Sequence, residues 1–190
     1  MAKNENQEKE SKMAGAKIKI RKSTELKEVL KMAPACKCGA CSHGCKMGSG
    51  MLAGNDKKII SQFLGISEKE LEEKFLEKVH LFNKEMSRPK ILRKDGKTFG
   101  YCIFYDDKKG CTIHSVKPLQ CKTSMGCRDY GEDLTSWFTL NYVVDANDAE
   151  SVRQYSQFIR SGGKVIEGGN LDEIVPDTDR LKKILSYEIL

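Results

Sequence analysis

Eight cysteines in two groups constrain this chain of 190 residues more than any other feature of its sequence. The first group lies within the stretch CKCGACSHGC, and the second begins more than 50 residues later with wider spacings. Cysteines that only fill a core would be scattered, so the grouping favours a shared chemical role. The candidate metal ligands are Cys36, Cys38, Cys41, Cys45, Cys102, Cys111, Cys121 and Cys127.

The sequence predicts a cytoplasmic location, which bears on the choice between disulfides and metal binding. The N-terminal stretch MAKNENQEKESK is charged and lacks the apolar segment of a secretory signal. No run approaches the roughly 18 apolar residues of a membrane-spanning helix, so no membrane association is expected. Because cytosolic thiols stay reduced, disulfides explain eight cysteines poorly. Metal binding is favoured over disulfides and over incidental packing.

The composition predicts a small hydrophobic core and a charged, solvent-exposed surface. Hydrophobic residues make up 39% of the chain and charged residues 32%, so a metal staple would add useful stability. The formal net charge is +6, but basic and acidic residues alternate, as in SEKELEEKFLEK. Such mixing is typical of a solvated face, and a nucleic-acid partner is not expected.

The expected fold class is α+β: a small irregular metal-stapled domain with a β-hairpin region and several helices. Residues 1–22 are expected to form a disordered charged tail, because they lack apolar periodicity. Residues 23–145 are expected to form the cysteine-cluster metal-binding domain, and residues 146–190 a C-terminal helical extension packed on it. Removal of residues 1–22 is therefore expected to leave fold and metal content unchanged.

Helices are predicted in STELKEVLKMAP, after Asn55 or Asp56, and throughout LGISEKELEEKFLEKVHLF. In the last segment Ser67 and Glu70 have capping-box spacing, and an apolar stripe runs as far as Phe82. The first cysteine group is expected in a loop. The second and third helices could form a helix-turn-helix, but the glutamates of the third would repel DNA, so a packing role is favoured.

The second cysteine group is predicted on β-hairpins. Asp95-Gly96 is a strong turn signal, and Lys108-Lys109-Gly110 makes a second turn before Cys111. Further along, SWFTLNYVV is predicted as a strand, and AESVRQYSQFIR and DTDRLKKILSYEIL are predicted as helices.

The C-x-x-C of Cys38 and Cys41 has the spacing of a metal knuckle in zinc and iron–sulfur sites. Thiolates select these soft metals, and an all-cysteine ligand set favours an iron–sulfur cluster of the 4Fe–4S type, with zinc the alternative. His43 could be a ligand, although a solvated loop position is the more ordinary interpretation; His80 and His114 are expected to be structural or surface residues. A thioredoxin-like dithiol is disfavoured because the preceding segment looks helical.

Three stretches resemble the YkgJ-type cysteine-cluster family of zinc- or iron-chelating proteins. They are CGAC at 38–41, GYCIFYDDKKGCTIH at 100–114 and KPLQCKTSMGC at 117–127. Ser42 stands where the family has a cysteine, with Cys45 as the candidate replacement, and Lys117 stands in place of an arginine. The resemblance implies that six cysteines are metal ligands: Cys38, Cys41, Cys102, Cys111, Cys121 and Cys127.

The expected function is that of a metalloprotein in electron transfer, in metal or cluster handling, or in support of a larger enzyme, with a protein partner. One alternative is a zinc-stapled module that binds protein or RNA. Another is a metal-dependent enzyme related to protein lysine methylation, because the family includes flagellin lysine N-methylases. At least one metal centre is expected to join both cysteine groups, with ligands that include Cys38, Cys41 and Cys121.

Overall fold

A computed structural model of the chain describes residues 18–33, 39–123 and 130–188, with the backbone alone for residues 39–41. The described chain combines helices with three separate two-stranded antiparallel sheets. The expected α+β class is therefore confirmed. None of the helices in these ranges is long and apolar enough to cross a membrane.

The described residues form nine α-helices and six strands, with one 3₁₀ turn (His114–Val116) and one π-helical turn (Thr139–Val143). The helices are α1 (Leu26–Met32), α2 (Gly39–Met47), α3 (Asp56–Leu64), α4 (Glu68–Phe75), α5 (Leu119–Thr123), α6 (Gly131–Phe138), α7 (Ala149–Arg160), α8 (Leu171–Ile174) and α9 (Thr178–Leu185). The strands are β1 (Leu76–Leu81), β2 (Lys84–Pro89), β3 (Ile91–Arg93), β4 (Gly100–Cys102), β5 (Tyr105–Asp106) and β6 (Gly110–Cys111).

The third predicted helix ends earlier than expected. Its start is confirmed, since the Ser67 hydroxyl accepts a hydrogen bond from the Glu70 backbone N–H at 3.1 Å. The helix stops at Phe75, and the chain continues as β1, which pairs with β2. Phe82 and Asn83 adopt positive φ angles of 49° and 58° at the turn between them. Antiparallel pairing with the next segment has overridden the helical apolar stripe.

Both predicted hairpins of the second cysteine region are confirmed. Asp95 and Gly96 have φ angles of 54° and 70°, as a tight turn between β3 and β4 requires. Gly110, at φ 75°, lies at the start of β6 after the second turn. The hairpins therefore present Cys102 at the end of β4 and Cys111 at the end of β6.

The segment SWFTLNYVV is helical, so the predicted strand is wrong. It forms the end of α6 and the π-helical turn that follows. Trp137, Phe138, Leu140 and Val143 are all buried. An apolar run of this kind has no polar face to reveal its period, and burial on all sides allows a helix as readily as a strand. The two C-terminal helices are confirmed.

Two hydrophobic cores hold these elements together. In the larger core, α1, α6 and the C-terminal helices pack around Phe138 and Tyr155. The smaller core lies beneath the second cysteine region and contains one of the candidate ligands. Its buried members are Leu52, Ile60, Leu71, Leu76, Cys102, Phe104 and Ile113.

The expected tail boundary at residue 22 is too late, because residues 18–22 pack on the folded domain. Ile20 is 2% exposed and belongs to the larger core. The Lys22 backbone N–H donates to the carbonyl of Glu167 at 2.8 Å, and the Glu167 carboxylate pairs with Arg21 at 3.0 Å. A single buried isoleucine between Lys19 and Arg21 leaves no apolar periodicity in the sequence. Residues 1–17 lie outside the described residues.

Ile20→Ala tests this packing, with Ile18→Ala as its matched control. Ile20 is 2% exposed and Ile18 is 59% exposed. We expect Ile20→Ala to lower the free energy of unfolding by about 2–4 kcal/mol through cavity formation, and Ile18→Ala to change it by about 0.5 kcal/mol or less. Urea denaturation measures both. Equal effects of the two variants would show that residues 18–22 are not part of the fold.

The carboxylate of Glu77 joins the first hairpin to the second. It accepts hydrogen bonds from Arg88 on β2 at 2.8 Å and from two Arg93 nitrogens on β3 at 2.9 Å. These bonds, chiefly those from Arg93, lower the pKa of Glu77 to about 2, although burial opposes the shift. The β3–β4 hairpin, which carries Cys102, is thereby fixed relative to β1 and β2.

Glu77→Gln is expected to remove a pH-dependent part of the stability. A lowered pKa in the folded state stabilises the protein fully above the ordinary value of 4.5, and the stabilisation is lost as the pH falls through about 2. The variant should therefore be less stable than the wild type by about 1–3 kcal/mol at pH 7, and the difference should shrink steadily below pH 4.5. Denaturation of metal-free protein across this range measures it, because acid removes thiolate-bound metal. Glu85→Gln, at an exposed pair, is the control, and an equal pH dependence in both variants would contradict the role of Glu77.

Candidate metal centre

The structure describes the side chains of four of the eight candidate ligands. Cys45 lies on α2, Cys102 ends β4, Cys111 ends β6 and Cys121 lies in α5. Cys41 lies one turn before Cys45 in α2, with its backbone alone described. The other three candidates, Cys36, Cys38 and Cys127, lie outside the described residues.

Residues 39–47, which include Cys41 and Cys45, form helix α2, so the predicted loop is wrong for these residues. Helix α2 contacts both β4 and β6. Near its end, Lys46 pairs with Asp107 at 3.0 Å, and its ammonium lies 5.8 Å and 5.7 Å from the ring centroids of Tyr101 and Tyr105. The glycines of this segment disfavour a helix. Packing on the two hairpins stabilises the helix in spite of them.

Helix α2, which contains Cys45, contacts the strands that end at Cys102 and Cys111. Burial is the largest cause that raises the pKa of Cys45 and of Cys102, and neighbouring thiols raise both values further. Burial also raises the pKa of Cys121, with smaller contributions from Cys45, Cys102 and Cys111. The fold therefore packs the helix of Cys45 against the second cysteine region, although more than 50 residues of sequence separate Cys45 from Cys102.

Within the described ranges, no three His, Cys, Asp or Glu side chains lie close enough together to hold a metal ion. His43 and His80 are exposed, and His80 lies 3.8 Å from Glu85 on the first hairpin. The eight-cysteine ligand set therefore stays a prediction. The described thiols provide an incomplete set of sulfur donors, and thiolates of this kind fit zinc or iron.

Backbone N–H groups donate to three of the four described sulfurs. The N–H of Phe104 donates to Cys102, that of Ile113 to Cys111 and that of Gly50 to Cys121. Such bonds stabilise a thiolate, as they do around metal-bound sulfurs.

Burial outweighs these hydrogen bonds in the metal-free protein. It raises the pKa of Cys102 and of Cys121 to about 12, even though an N–H donor lowers each value. Both thiols therefore keep their protons at neutral pH until a metal displaces them. Metal binding at this place would release protons and form buried thiolates whose hydrogen-bond donors are already in position.

Hydrogen bonds tie the segment after α2 to the segment that carries Cys121. The Met51 N–H donates to the side-chain oxygen of Gln120 at 2.6 Å. The Asp56 carboxylate accepts from the N–H groups of Ala53 and Leu119 at 2.9 and 2.7 Å. The sequence marks Asp56 only as the possible start of a helix and gives no signal for Gln120 or Gly50, because these contacts join distant segments.

Gly50 lies so close to Cys121 that a side chain does not fit there. A Cβ atom at Gly50 would lie 2.5 Å from the Cys121 sulfur and 2.8 Å from its backbone nitrogen. At Gly44, one residue before Cys45, a Cβ atom would have no neighbour within 4 Å. Glycine is therefore needed at position 50 for close approach and is dispensable at position 44.

Gly50→Ala should destabilise the protein and weaken its metal binding, because either the sulfur or the backbone of Cys121 must move. We expect a loss of about 1–3 kcal/mol in the free energy of unfolding and a reduced metal content. Gly44→Ala is the control and should raise stability by about 0.5–1 kcal/mol, because it replaces a helical glycine. Thermal denaturation and metal analysis check both. Normal metal content in Gly50→Ala would contradict the described approach to Cys121.

Comparison with known proteins places these residues in a family. The sequence profile of the family named CxxCxxCC, "putative zinc- or iron-chelating domain", matches residues 35–139. The match covers more than half of the chain and includes all eight cysteines. No solved structure gives a significant match. The resemblance found in the cysteine motifs is thus confirmed, and the chain belongs to the CxxCxxCC family of zinc- or iron-chelating domains.

Proposed function

We propose that this protein holds an iron–sulfur cluster of the 4Fe–4S type, to which Cys45, Cys102, Cys111 and Cys121 contribute ligands. The observation that carries the proposal is that α2, which contains Cys45, packs on β4 and β6, the strands that end at Cys102 and Cys111. Backbone N–H groups that lower the pKa of Cys102, Cys111 and Cys121 support it, because such donors stabilise thiolates. One such cluster takes four thiolates, so Cys36, Cys38, Cys41 and Cys127 are the candidate ligands of a further metal centre.

The choice of a cluster over zinc rests on the donor type. All four described candidates are thiols, and the exposed His43 beside Cys45 has no part in the proposed ligand set. Iron–sulfur clusters are held mainly by cysteine, whereas structural zinc accepts mixed cysteine and histidine sets. The proposal places the protein in the cytoplasm, where the thiols stay reduced and available.

When bound, the cluster would supply one-electron transfer. The chain would hold the cluster with one buried and three half-buried cysteines, and the N–H groups of Phe104, Ile113 and Gly50 would stabilise the charge of three sulfurs. Electron transfer is therefore the process we propose. Metal or cluster handling and support of a larger enzyme would use the same site.

A protein partner is part of this proposal. Leu92 and Tyr101 face each other across the β3–β4 hairpin and are 51% and 38% exposed. Their neighbours on the same strands, Ile91 and Cys102, form the opposite and buried face. A protein bound over Leu92 and Tyr101 would thus lie one strand thickness from a cluster ligand.

Metal and sulfide analysis of protein made and purified without oxygen tests the proposed cluster. We expect iron with acid-labile sulfide and a broad visible absorption band. Stoichiometric zinc without sulfide, in protein never exposed to oxygen, would overturn the cluster and leave the metal site. The protein would then be a zinc-stapled module that binds protein or RNA, which is the alternative that the sequence leaves open.

Single serine substitutions test the ligand assignments. Cys45→Ser, Cys102→Ser, Cys111→Ser and Cys121→Ser should each lose most of the bound metal, because each removes a proposed ligand. His43→Ala is the matched control, since this exposed side chain lies two residues before Cys45 and should leave metal content unchanged. A cysteine variant with wild-type metal content would remove that residue from the site.

A further inference from the structure

The β3–β4 hairpin has an exposed apolar face on the side opposite to Cys102. Leu92 and Tyr101 lie across from each other on this face, and Phe99, which is exposed as well, comes two residues before Tyr101. Side chains two residues apart share one face of a strand. Three large apolar side chains gathered on one hairpin indicate a docking surface more than single exposed residues do.

Lysine side chains lie against the aromatic rings of this face. The ammonium of Lys46, which comes from α2, lies over the rings of Tyr101 and Tyr105. These two rings pack edge to face, with their centroids 5.8 Å apart. The ammonium of Lys97 lies 5.7 Å from the centroid of the Phe99 ring. Such contacts order the rings and the lysines before a partner binds, which lowers the entropy cost of binding.

Positive charge surrounds the apolar face. Lys94 and Lys97 are exposed at the turn of the hairpin, and none of the ion pairs between described residues includes either lysine. Residues 94–109 contain four lysines and three aspartates, and Lys46 adds a fifth lysine beside them. Because lysines exceed carboxylates here, the complementary partner carries negative charge.

The same contacts favour a protein over a nucleic acid as the occupant. Binding of a single strand uses free aromatic ring faces for base stacking, but the ammonium groups of Lys46 and Lys97 already lie over the rings. The exposed carboxylate of Asp95, between the two turn lysines, would repel phosphates. An acidic protein can place carboxylates beside the lysines and cover Leu92 with its own apolar side chains.

We propose that this face docks an acidic partner protein, which presents carboxylates around an apolar centre. The face consists of Leu92, Phe99 and Tyr101, with Lys94 and Lys97 at its rim. The inference rests on the proposed function for the role of the partner, and it states the chemistry of that partner. Because the apolar face is small and charge steers the encounter, the complex should be short-lived and should weaken as salt is added.

The test uses the full-length metal-loaded protein and two synthetic probes of equal negative charge. One probe is a peptide of repeated Glu-Glu-Leu units with blocked ends, and the other is an oligonucleotide of uridine. Fluorescence anisotropy at about 0.1 M salt, where exposed charges act over about 10 Å, measures both affinities. A carbodiimide joins lysine amines directly to carboxylates, so mass spectrometry of the crosslinked peptide locates its contacts.

Combined Lys94→Glu and Lys97→Glu should weaken peptide binding by roughly tenfold or more, because attraction becomes repulsion. Leu92→Ala should weaken it by about threefold at high and low salt, because apolar contact is not screened. Combined Lys182→Glu and Lys183→Glu is the matched control, since both lysines are exposed on α9 and the net charge changes equally. The control should stay within about twofold of the wild type.

Crosslinks at Lys46, Lys94 or Lys97, with a loss of affinity confined to the hairpin variants, would support the inference. Equal losses in the hairpin and α9 charge variants would overturn it, because net charge alone would then explain binding. Absent peptide binding, or tighter binding of the oligonucleotide, would overturn it as well. Metal and sulfide analysis of the same samples tests the proposed function separately. A protein without a cluster that still binds the peptide at this face would contradict only the proposed function.

Discussion

The Asp56 carboxylate makes the connection on which the site depends. It binds the N–H of Ala53 in its own segment and that of Leu119 in the segment of Cys121, at 2.9 and 2.7 Å. Burial raises the pKa of Asp56, while both hydrogen bonds lower it. Together with the bond from Met51 to Gln120, this contact holds Gly50 against Cys121. The end of the first cysteine region is thereby fixed to the second without a metal ligand.

Metal binding would complete a site whose hydrogen-bond donors are already placed. Closing a loop of more than 50 residues between Cys45 and Cys102 costs several kcal/mol, with a weak dependence on length. A structural metal site returns about 10–16 kcal/mol in apparent binding free energy, part of which is used to remove protons from buried thiols. The hydrogen bonds of Asp56 and Gln120, and the packing of α2 on the hairpins, also stabilise the closed loop. They therefore lower the part of the closure free energy that metal binding must offset. We therefore expect metal to tighten this region more than to fold it.

The sequence predicted features that depend on local chemistry. Ser67 caps the helix that its spacing to Glu70 predicts, and the turns at Asp95-Gly96 and Gly110 form the expected hairpins. Elements that depend on distant partners were missed. The chain after Phe75 pairs with β2, and α2 forms against the hairpins. Sequence motifs predicted the cysteines of the site and singled out Lys117. The burial of Lys117 and the close approach of Gly50 to Cys121 follow only from the fold.

The central claim is that at least one metal centre has ligands from both cysteine groups, and hydrogen exchange in Cys45→Ser tests it most directly. The peptides to compare with the metal-loaded wild type cover residues 39–50, 100–104 and 111–123. The account predicts lost protection in all three, including the amides of Gly50, Phe104 and Ile113 that donate to sulfur. Lost protection confined to residues 39–50, with the second group still metallated and protected, would contradict it and indicate two independent sites.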